Sequence, residues 1–183
     1  MANFLMASAA ESEAFMQGTS AQQQNNGALA GEASNAAGSQ HWDVANQTKI
    51  AAGKDKCNEF VGDMIEGIGR DRPRVKYTGW KGIVGDLLGQ TRDPSAKEWA
   101  TADIPGYSAP MPISSASKGD VIAVGHSGDG QGHVGICVGG SGVASANWYQ
   151  GGAITVNGWG FRSAGNNDEG GGTVVVRKWL GQQ

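Results

Sequence analysis

The sequence has few of the residues that define several common classes of protein. Only two cysteines, Cys57 and Cys137, occur among 183 residues, so the chain can form at most one disulfide and has no disulfide framework. The three histidines and two cysteines show no spacing typical of a zinc site, and we expect no metal or other cofactor. No apolar run approaches the roughly 20 residues that a membrane-spanning helix needs.

Basic residues are also few, and they are scattered. The formal net charge is −3, from 14 Lys and Arg against 17 Asp and Glu. Binding to nucleic acid needs a concentrated basic face, so we expect no nucleic-acid partner. The one local cluster, RDRPRVK at Arg70–Lys76, is either a solvated loop after a helix or a contact for an anionic polymer.

The first 40 residues differ from the rest. They do not resemble a Sec signal peptide, because no positive residue precedes a short apolar segment that Glu11 and Glu13 interrupt. We therefore expect the chain to be made in the cytoplasm and any export to use another route. Residues 1–40 are rich in Ala, Gln, Asn, Ser and Gly, which predicts a flexible or loosely docked arm with a short helix near its start. The main domain is expected over residues 41–183.

The main domain changes from a helical to a strand pattern along its length. Cys57 opens an apolar stripe at helical spacing, with Asp55 as the expected N-cap and Gly69 as the stop. A short helix is also expected at Trp80–Gly89. Strand-length runs between Gly-rich turns then predict an α+β fold with an antiparallel sheet of about five strands, most simply a meander. These runs are Gly119–Gly125, His133–Gly140, Gly142–Tyr149, Gly152–Trp159 and Gly172–Trp179.

Cys57 has one of the two features that favour a reactive thiolate. It lies at the start of a predicted helix, where unpaired N–H groups act as a partial positive charge. The second feature is a nearby imidazole, and His133 is the best candidate because it opens a strand. If the next strand forms a hairpin with this one, Asn147 or Ser145 returns beside His133 and can orient its ring.

Other interpretations of the same residues stay open. A cysteine on an apolar helical stripe is commonly a buried core residue, and a disulfide between Cys57 and Cys137 would block the nucleophile. Cys137 lies inside the apolar run VGICVGG and is expected in the core. The two remaining histidines are weaker candidates for a base, because His41 borders the arm and His126 lies in a Gly-rich loop.

Four motifs, in order, resemble those of the NlpC/P60 and CHAP superfamily of papain-like cysteine peptidases and amidases: KCNEFVGDM, KGDVIAVG, GHVGICVGG and SANW. The resemblance covers about residues 54–150. It implies a papain-like fold with Cys57 as nucleophile, His133 as base and Asn147 as orienting group. Ser145 stands where CHAP domains often carry a carboxylate, and the second histidine of many NlpC/P60 members has no counterpart here.

The resemblance implies a peptidoglycan hydrolase that cleaves an amide bond in the peptide part of the cell wall. Trp148 and Ser145 would then contact the substrate. The chain also resembles type VI secretion amidase effectors, antibacterial toxins that act in the periplasm of a rival cell, with a periplasmic immunity protein as partner. The alternatives are a phage endolysin, a cysteine protease or deamidase acting on host proteins, and a non-catalytic binding module of the same fold.

Overall fold

The computed structural model describes residues 9–50, 54, 56–77, 89–125, 132–147, 151–157 and 172–181. Within these ranges the α-helices are α1 (Ala9–Asn35), α2 (Cys57–Gly67) and α3 (Ala96–Thr101), and a 3₁₀ turn covers Ile113–Ser115. The strands are β1 (Val75–Lys76), β2 (Thr91–Arg92), β3 (Met111–Pro112), β4 (Val121–Gly125), β5 (Gly132–Gly139), β6 (Gly142–Ala146), β7 (Ile154–Asn157) and β8 (Val174–Arg177).

The main sheet, over these described strands, has six antiparallel members in the order β3-β8-β4-β5-β6-β7, and β1 pairs with β2 separately. This confirms the α+β class and the antiparallel sheet. Strands β4 to β7 form the expected meander, but β8 returns to pair with β4 instead of β7. Strand β4 therefore lies inside the sheet, between β5 and β8. Its residues from Val121 to Val124 are all buried, on both faces of the strand.

Side chains alternate between the two faces of the sheet, and each face has its own apolar cluster. We call the face that packs with the helices the helix face, and the other the opposite face. The helix face carries Val121, Ala123, Val134, Ile136, Ala144, Ala146 and Ile154. The opposite face carries Ile122, Val124, Cys137, Val143, Val174 and Val176. Cys137 therefore lies in the core, as the sequence predicts, and both cysteines are free thiols.

Helix α1 is longer than the short helix that the sequence predicts, with 27 residues. Its sequence is rich in Ala, Gln and Glu, which favour the helical conformation. Leu29, Ala30 and Ala33 are fully buried, and Leu29 and Ala33 belong to the helix-face cluster. The last turns of α1 therefore pack on the rest of the domain.

Helix α2 follows its predicted stripe. It begins at Cys57 with Lys56 in the N-cap position, while the expected cap, Asp55, lies outside the described residues. The helix ends before Gly69, whose φ of +77° is the left-handed conformation typical of a helix stop. The helix expected at Trp80–Gly89 also lies outside the described residues, apart from Gly89.

Candidate functional site

Cys57 is the first residue of α2, as the sequence predicts for a nucleophile at a helix start. The helix packs its apolar side on β5 and β6, with Phe60, Val61 and Ile65 fully buried. Cys57 itself is 3% exposed and belongs to the helix-face cluster. The thiol thus lies where unpaired helical N–H groups favour a negative charge.

Two buried charged side chains hold the start of α2 in place. Lys56, 1% exposed, donates from Nζ to the Asp43 carbonyl at 2.8 Å. Glu59 accepts hydrogen bonds from the backbone N–H groups of Lys49 (2.9 Å) and Ile50 (3.1 Å) and from the Thr48 hydroxyl (2.7 Å). Lys56 Nζ also lies 3.5 Å from the Lys54 carbonyl oxygen, so both buried side chains have polar partners, as a buried charge requires.

The segment that Lys56 and Glu59 contact also reaches the turn between β6 and β7. The Val44 N–H donates to the Gly151 carbonyl at 2.8 Å, and a Cβ on Gly152 would come within 2.5 Å of the Trp42 carbonyl oxygen. This contact brings the start of α2 to the end of the sheet where β5 begins and β6 ends.

The sequence reasoning missed Lys56 and Glu59 as residues that position the site. Charged residues in KCNEF are ordinarily solvated, so their side chains alone indicate nothing. The signal that could have found them is their place at the start of α2, beside the apolar stripe that Cys57 opens.

His133 lies at that same end of the sheet and contacts Ser145. Its Nε2 is 3.0 Å from the Ser145 Oγ, and both side chains are buried. Gly135 makes this possible, because a Cβ there would lie 3.0 Å from the Ser145 Cβ and 2.5 Å from the Ala144 carbonyl oxygen. Because Gly135 has no side chain, the His133 imidazole extends diagonally from β5 to Ser145 on β6.

Asn147 closes the turn that follows β6. Its backbone N–H donates to the Ala153 carbonyl at 3.1 Å, and its carbonyl accepts from the Gly152 N–H at 2.7 Å. Its side-chain Nδ2 lies 3.5 Å from the Thr155 Oγ1. Of the two candidates for the orienting group, Ser145 is the one that the described hydrogen bond joins to the imidazole. Trp148, the other expected substrate contact, lies outside the described residues.

Strand alternation bears on whether Cys57 and His133 can meet. Val134 and Ile136 belong to the same helix-face cluster as Cys57, whereas His133 and Cys137 occupy the alternate positions and point to the opposite face. A thiol–imidazole pair therefore has to form around the end of the sheet where β5 begins.

The Gly-Asp pair before β4 has a structural role. A Cβ on Gly119 would overlap the backbone of Asn26 in α1, and Gly119 has a φ of +85°. Asp120 is 1% exposed, and its Oδ2 accepts from Lys178 Nζ at 2.7 Å and from the Ser117 N–H at 2.8 Å. This motif thus joins α1, β4 and the residue after β8.

The basic cluster at Arg70–Lys76 is not simply a solvated loop. Arg72 is buried, and it forms ion pairs with Asp63 (2.5 Å), Asp93 (2.6 Å) and Glu66 (2.8 Å). Burial alone would lower the pKa of Arg72, but these carboxylates raise it above its ordinary value. A Cβ on Gly62 would lie 2.5 Å from the Arg72 Cζ, so the glycine in α2 makes room for the guanidinium.

The described part of the chain contains no group of three His, Cys, Asp or Glu side chains that could hold a metal ion. None of its helices is long and apolar enough to cross a membrane. Comparisons with family models, with curated proteins and with solved structures find no match to this chain.

Proposed function

We propose that this protein is a papain-like cysteine amidase or endopeptidase that hydrolyses an amide bond in the peptide part of peptidoglycan. The sequence support is the ordered set of motifs around Cys57, His133 and Ser145. The structural observation that carries the proposal is the buried hydrogen bond between His133 Nε2 and Ser145 Oγ, 3.0 Å long. A histidine base needs such a polar group to hold its ring and select its tautomer.

The proposed reaction is acyl transfer in two steps. With Nε2–H donating to Ser145, Nδ1 of His133 has the lone pair that takes the Cys57 proton. The thiolate attacks the amide carbonyl, and backbone N–H groups at the start of α2 stabilise the oxyanion. The amine leaves with the proton from His133, and a thioester forms. Water then gives its proton to His133 and attacks the thioester, which releases the acid and restores the thiol.

The biological setting we propose is that of an antibacterial toxin, a type VI secretion amidase effector. It would act on the cell wall in the periplasm of a target bacterium, and its natural partner would be an immunity protein that blocks the site. A phage endolysin of the same chemistry is the alternative setting.

Replacement of Cys57 tests the proposal. We expect wild-type protein to release soluble fragments from purified sacculi and Cys57→Ala to release none above background. Cys137→Ala is the matched control, because Cys137 is also a buried free thiol but lies within β5 instead of at the start of a helix. Fragment release by Cys57→Ala equal to that of wild type would refute the proposal, and mass spectrometry of the fragments identifies the bond that is cut.

One observation favours a second candidate, a non-catalytic binding module. Cys57 is 3% exposed, and its cluster lies on the face of β5 opposite to His133. This candidate predicts a slow reaction of Cys57 with iodoacetamide near neutral pH. The proposed enzyme predicts rapid alkylation that His133→Ala slows by at least about tenfold, because the thiolate loses its base. Both measurements use a Cys137→Ala background so that only one thiol reacts.

A further inference from the structure

Asp120, the residue before β4, is a buried carboxylate with only one satisfied oxygen. It is 1% exposed, and its Oδ2 accepts from Lys178 Nζ and from the Ser117 N–H, as described above. Its Oδ1 is also buried, and no group in the described part of the chain donates a hydrogen bond to it. A buried carboxylate oxygen without a donor is costly. A donor supplied from outside the chain would therefore be bound favourably here.

Glu59 shows that the fold can satisfy both oxygens of a buried carboxylate. Like Asp120, it is 1% exposed. Its Oε1 accepts from the Lys49 N–H, and its Oε2 accepts from the Ile50 N–H and the Thr48 hydroxyl. The unsatisfied Oδ1 thus distinguishes Asp120 from the other buried carboxylate of the described ranges.

Asp120 lines a cavity of about 420 Å³ between α1 and the segment before β4. Gln22 and Asn26 of α1 line the same cavity, together with Lys118 and Lys178. Small-molecule sites have volumes of about 300–1,000 Å³, whereas one water takes up roughly 30 Å³. The cavity therefore has room for a ligand beside Asp120, and its polar walls favour a polar one.

The charges that line the cavity indicate the charge of the ligand. Asp120 and Lys178 form an ion pair, which is neutral as a whole. Lys118 is exposed and forms no ion pair with any residue that the structure describes, so the walls have one net positive charge. A ligand with one negative charge is complementary to these walls. A cationic donor to Oδ1 would add to the positive charge, and the donor we expect is therefore a neutral N–H.

Asn26 contributes a donor whose orientation is fixed. Its Oδ1 accepts from Arg70 Nη2 at 2.9 Å, and the Arg70 guanidinium stacks on the Trp179 ring, with Cζ 3.8 Å from the ring centre. Because Oδ1 is held by Arg70, the Nδ2 hydrogens of Asn26 are left for another acceptor. The cavity thus offers an acceptor at Asp120, an amide donor at Asn26 and a cation at Lys118.

We propose that this cavity binds the carboxyl-terminal residue of a peptide. Such a residue has a neutral amide N–H for Asp120 Oδ1, a carboxylate for Lys118 and a preceding carbonyl for Asn26 Nδ2. It is the combination of one donor, one neutral acceptor and one negative charge that the walls complement, and hydrogen bonds to charged groups are the stronger ones.

The site is separate from the proposed catalytic residues. Asp120 precedes Val121 at the start of β4, whereas His133 pairs with Val124 near the other end of that strand. The three residues from Val121 to Val124 span about 10 Å. The inference therefore goes beyond the proposed hydrolase and does not depend on it.

The test uses three probes, each changed at one group. Full-length protein is titrated by calorimetry with N-acetyl-alanyl-alanine, with its carboxyl-terminal amide, and with the acid that carries an N-methyl group on its last residue. We expect the acid to bind. The amide lacks the charge and the N-methyl acid lacks the N–H donor, so each should bind at least about tenfold more weakly.

Two variants assign these preferences to residues. Lys118→Gln should reduce the preference for the acid over the amide, and it should fold because Lys118 is exposed. Asp120→Asn should reduce the preference for the acid over its N-methyl form. If Asp120→Asn does not fold, the N-methyl acid tested on wild type decides the role of the N–H donor. Lys54→Gln is the control, because Lys54 is also exposed but is not among the residues that line the cavity.

The outcomes separate this site from the proposed hydrolase. Cys57→Ala should bind the acid like wild type, whatever its effect on sacculi. Absence of binding to wild type would show that only water reaches Asp120, and it would overturn the proposal. Equal binding of the three probes, or unchanged preferences in Lys118→Gln, would overturn it as well.

Discussion

The two ends of α2 solve the same problem, the burial of charge, in different ways. At the Cys57 end, Lys56 donates to main-chain carbonyls. Glu59 accepts from two main-chain N–H groups and from the Thr48 hydroxyl. At the other end, Asp63 and Glu66 are satisfied by the cations Arg72 and Lys49. One end is held by directional hydrogen bonds to the main chain, and the other by ion pairs.

The difference affects how each end of α2 is held in position and how far its stability depends on charge. Hydrogen bonds from the main-chain N–H groups of Lys49 and Ile50 to Glu59 tie the first turn of α2 to a defined backbone path. Ion pairs at the far end join α2 to the loop at Arg72 and Asp93, and their strength depends on pH and on salt. The two ends should therefore respond differently to substitutions and to solution conditions.

The largest effect should come from Arg72 at the ion-paired end. Arg72→Leu leaves three carboxylates without their shared cation, and loss of one partner of a buried pair costs about 3–5 kcal/mol. Urea unfolding measures this loss in the free energy of unfolding. Arg74→Gln is the control, because the Arg74 side chain is 46% exposed and its ion pair with Asp93 contributes about 1 kcal/mol or less. Equal losses for the two variants would show that burial of the network contributes nothing.

The next largest effect should come from Gly135 beside the proposed site. In Gly135→Ala the new methyl group would meet the Ala144 carbonyl oxygen at 2.5 Å, and overpacking of this kind costs about 1–3 kcal/mol. It should also displace His133 from Ser145 and lower activity on sacculi. The control is Gly27→Ala in α1, where no atom lies within 4 Å. That change should stabilise the protein by about 0.5–1 kcal/mol, because alanine favours a helix. A neutral Gly135→Ala would contradict the packing.

Substitutions of Ser145 and of Asn147 should differ more in their effect on activity than in their effect on stability. Ser145→Ala removes the described partner of the imidazole, and we expect kcat/KM on a wall peptide to fall about tenfold, or roughly 1.4 kcal/mol. Asn147→Ala should lower kcat/KM less, because its main-chain hydrogen bonds, which close the β6–β7 turn, do not need the side chain. The reverse order of the two variants would identify Asn147 as the orienting group.

The smallest effect is the pH dependence of the ion-paired end. Burial by itself raises the pKa of Asp63, but hydrogen bonds from Lys49, Arg72 and Trp42 hold this pKa below its ordinary value. The pKa of Glu66 is lowered by Arg72 and then by Lys49. Because both folded-state pKa values lie below the unfolded ones, the unfolded state binds more protons. The contribution is therefore present above about pH 4 and is lost as the pH falls further.

Urea midpoints between about pH 6 and pH 3 measure this dependence. Asp63→Asn removes one of the two carboxylates, so its midpoint should fall less steeply with acid than that of wild type. Glu59→Gln tests the contrast with the other end of α2, where the described partners of Glu59 are N–H groups and a hydroxyl. An identical slope in Asp63→Asn and wild type would contradict the assignment of the pH dependence to the ion-paired end.

The local features of the fold were predictable from the sequence. The apolar stripe from Cys57 to Ile65, the glycine stop at Gly69 and the strand segments that became β4, β5 and β6 all depend on near neighbours in the chain. The position of β8 was not, because its pairing with β4 joins segments that are far apart in the chain, and local sequence patterns do not specify such a pairing. The length and docking of α1 also escaped prediction, since small residues such as Ala30 and Ala33 pack only when a partner surface exists.

The order of the candidate site residues along the chain could be predicted, because it needs only helix and strand patterns. Cys57 comes first, His133 second, and Ser145 or Asn147 third. The choice of Ser145 as the described partner of His133 needed the register of β5 and β6 and the space left at Gly135. Arg70 and Glu59 look alike in sequence, as charged residues near an apolar helix. Only the tertiary structure shows that Glu59 accepts from residues 48–50, whereas Arg70 donates to Asn26 and stacks on Trp179. These partners differ because distant parts of the chain supply them.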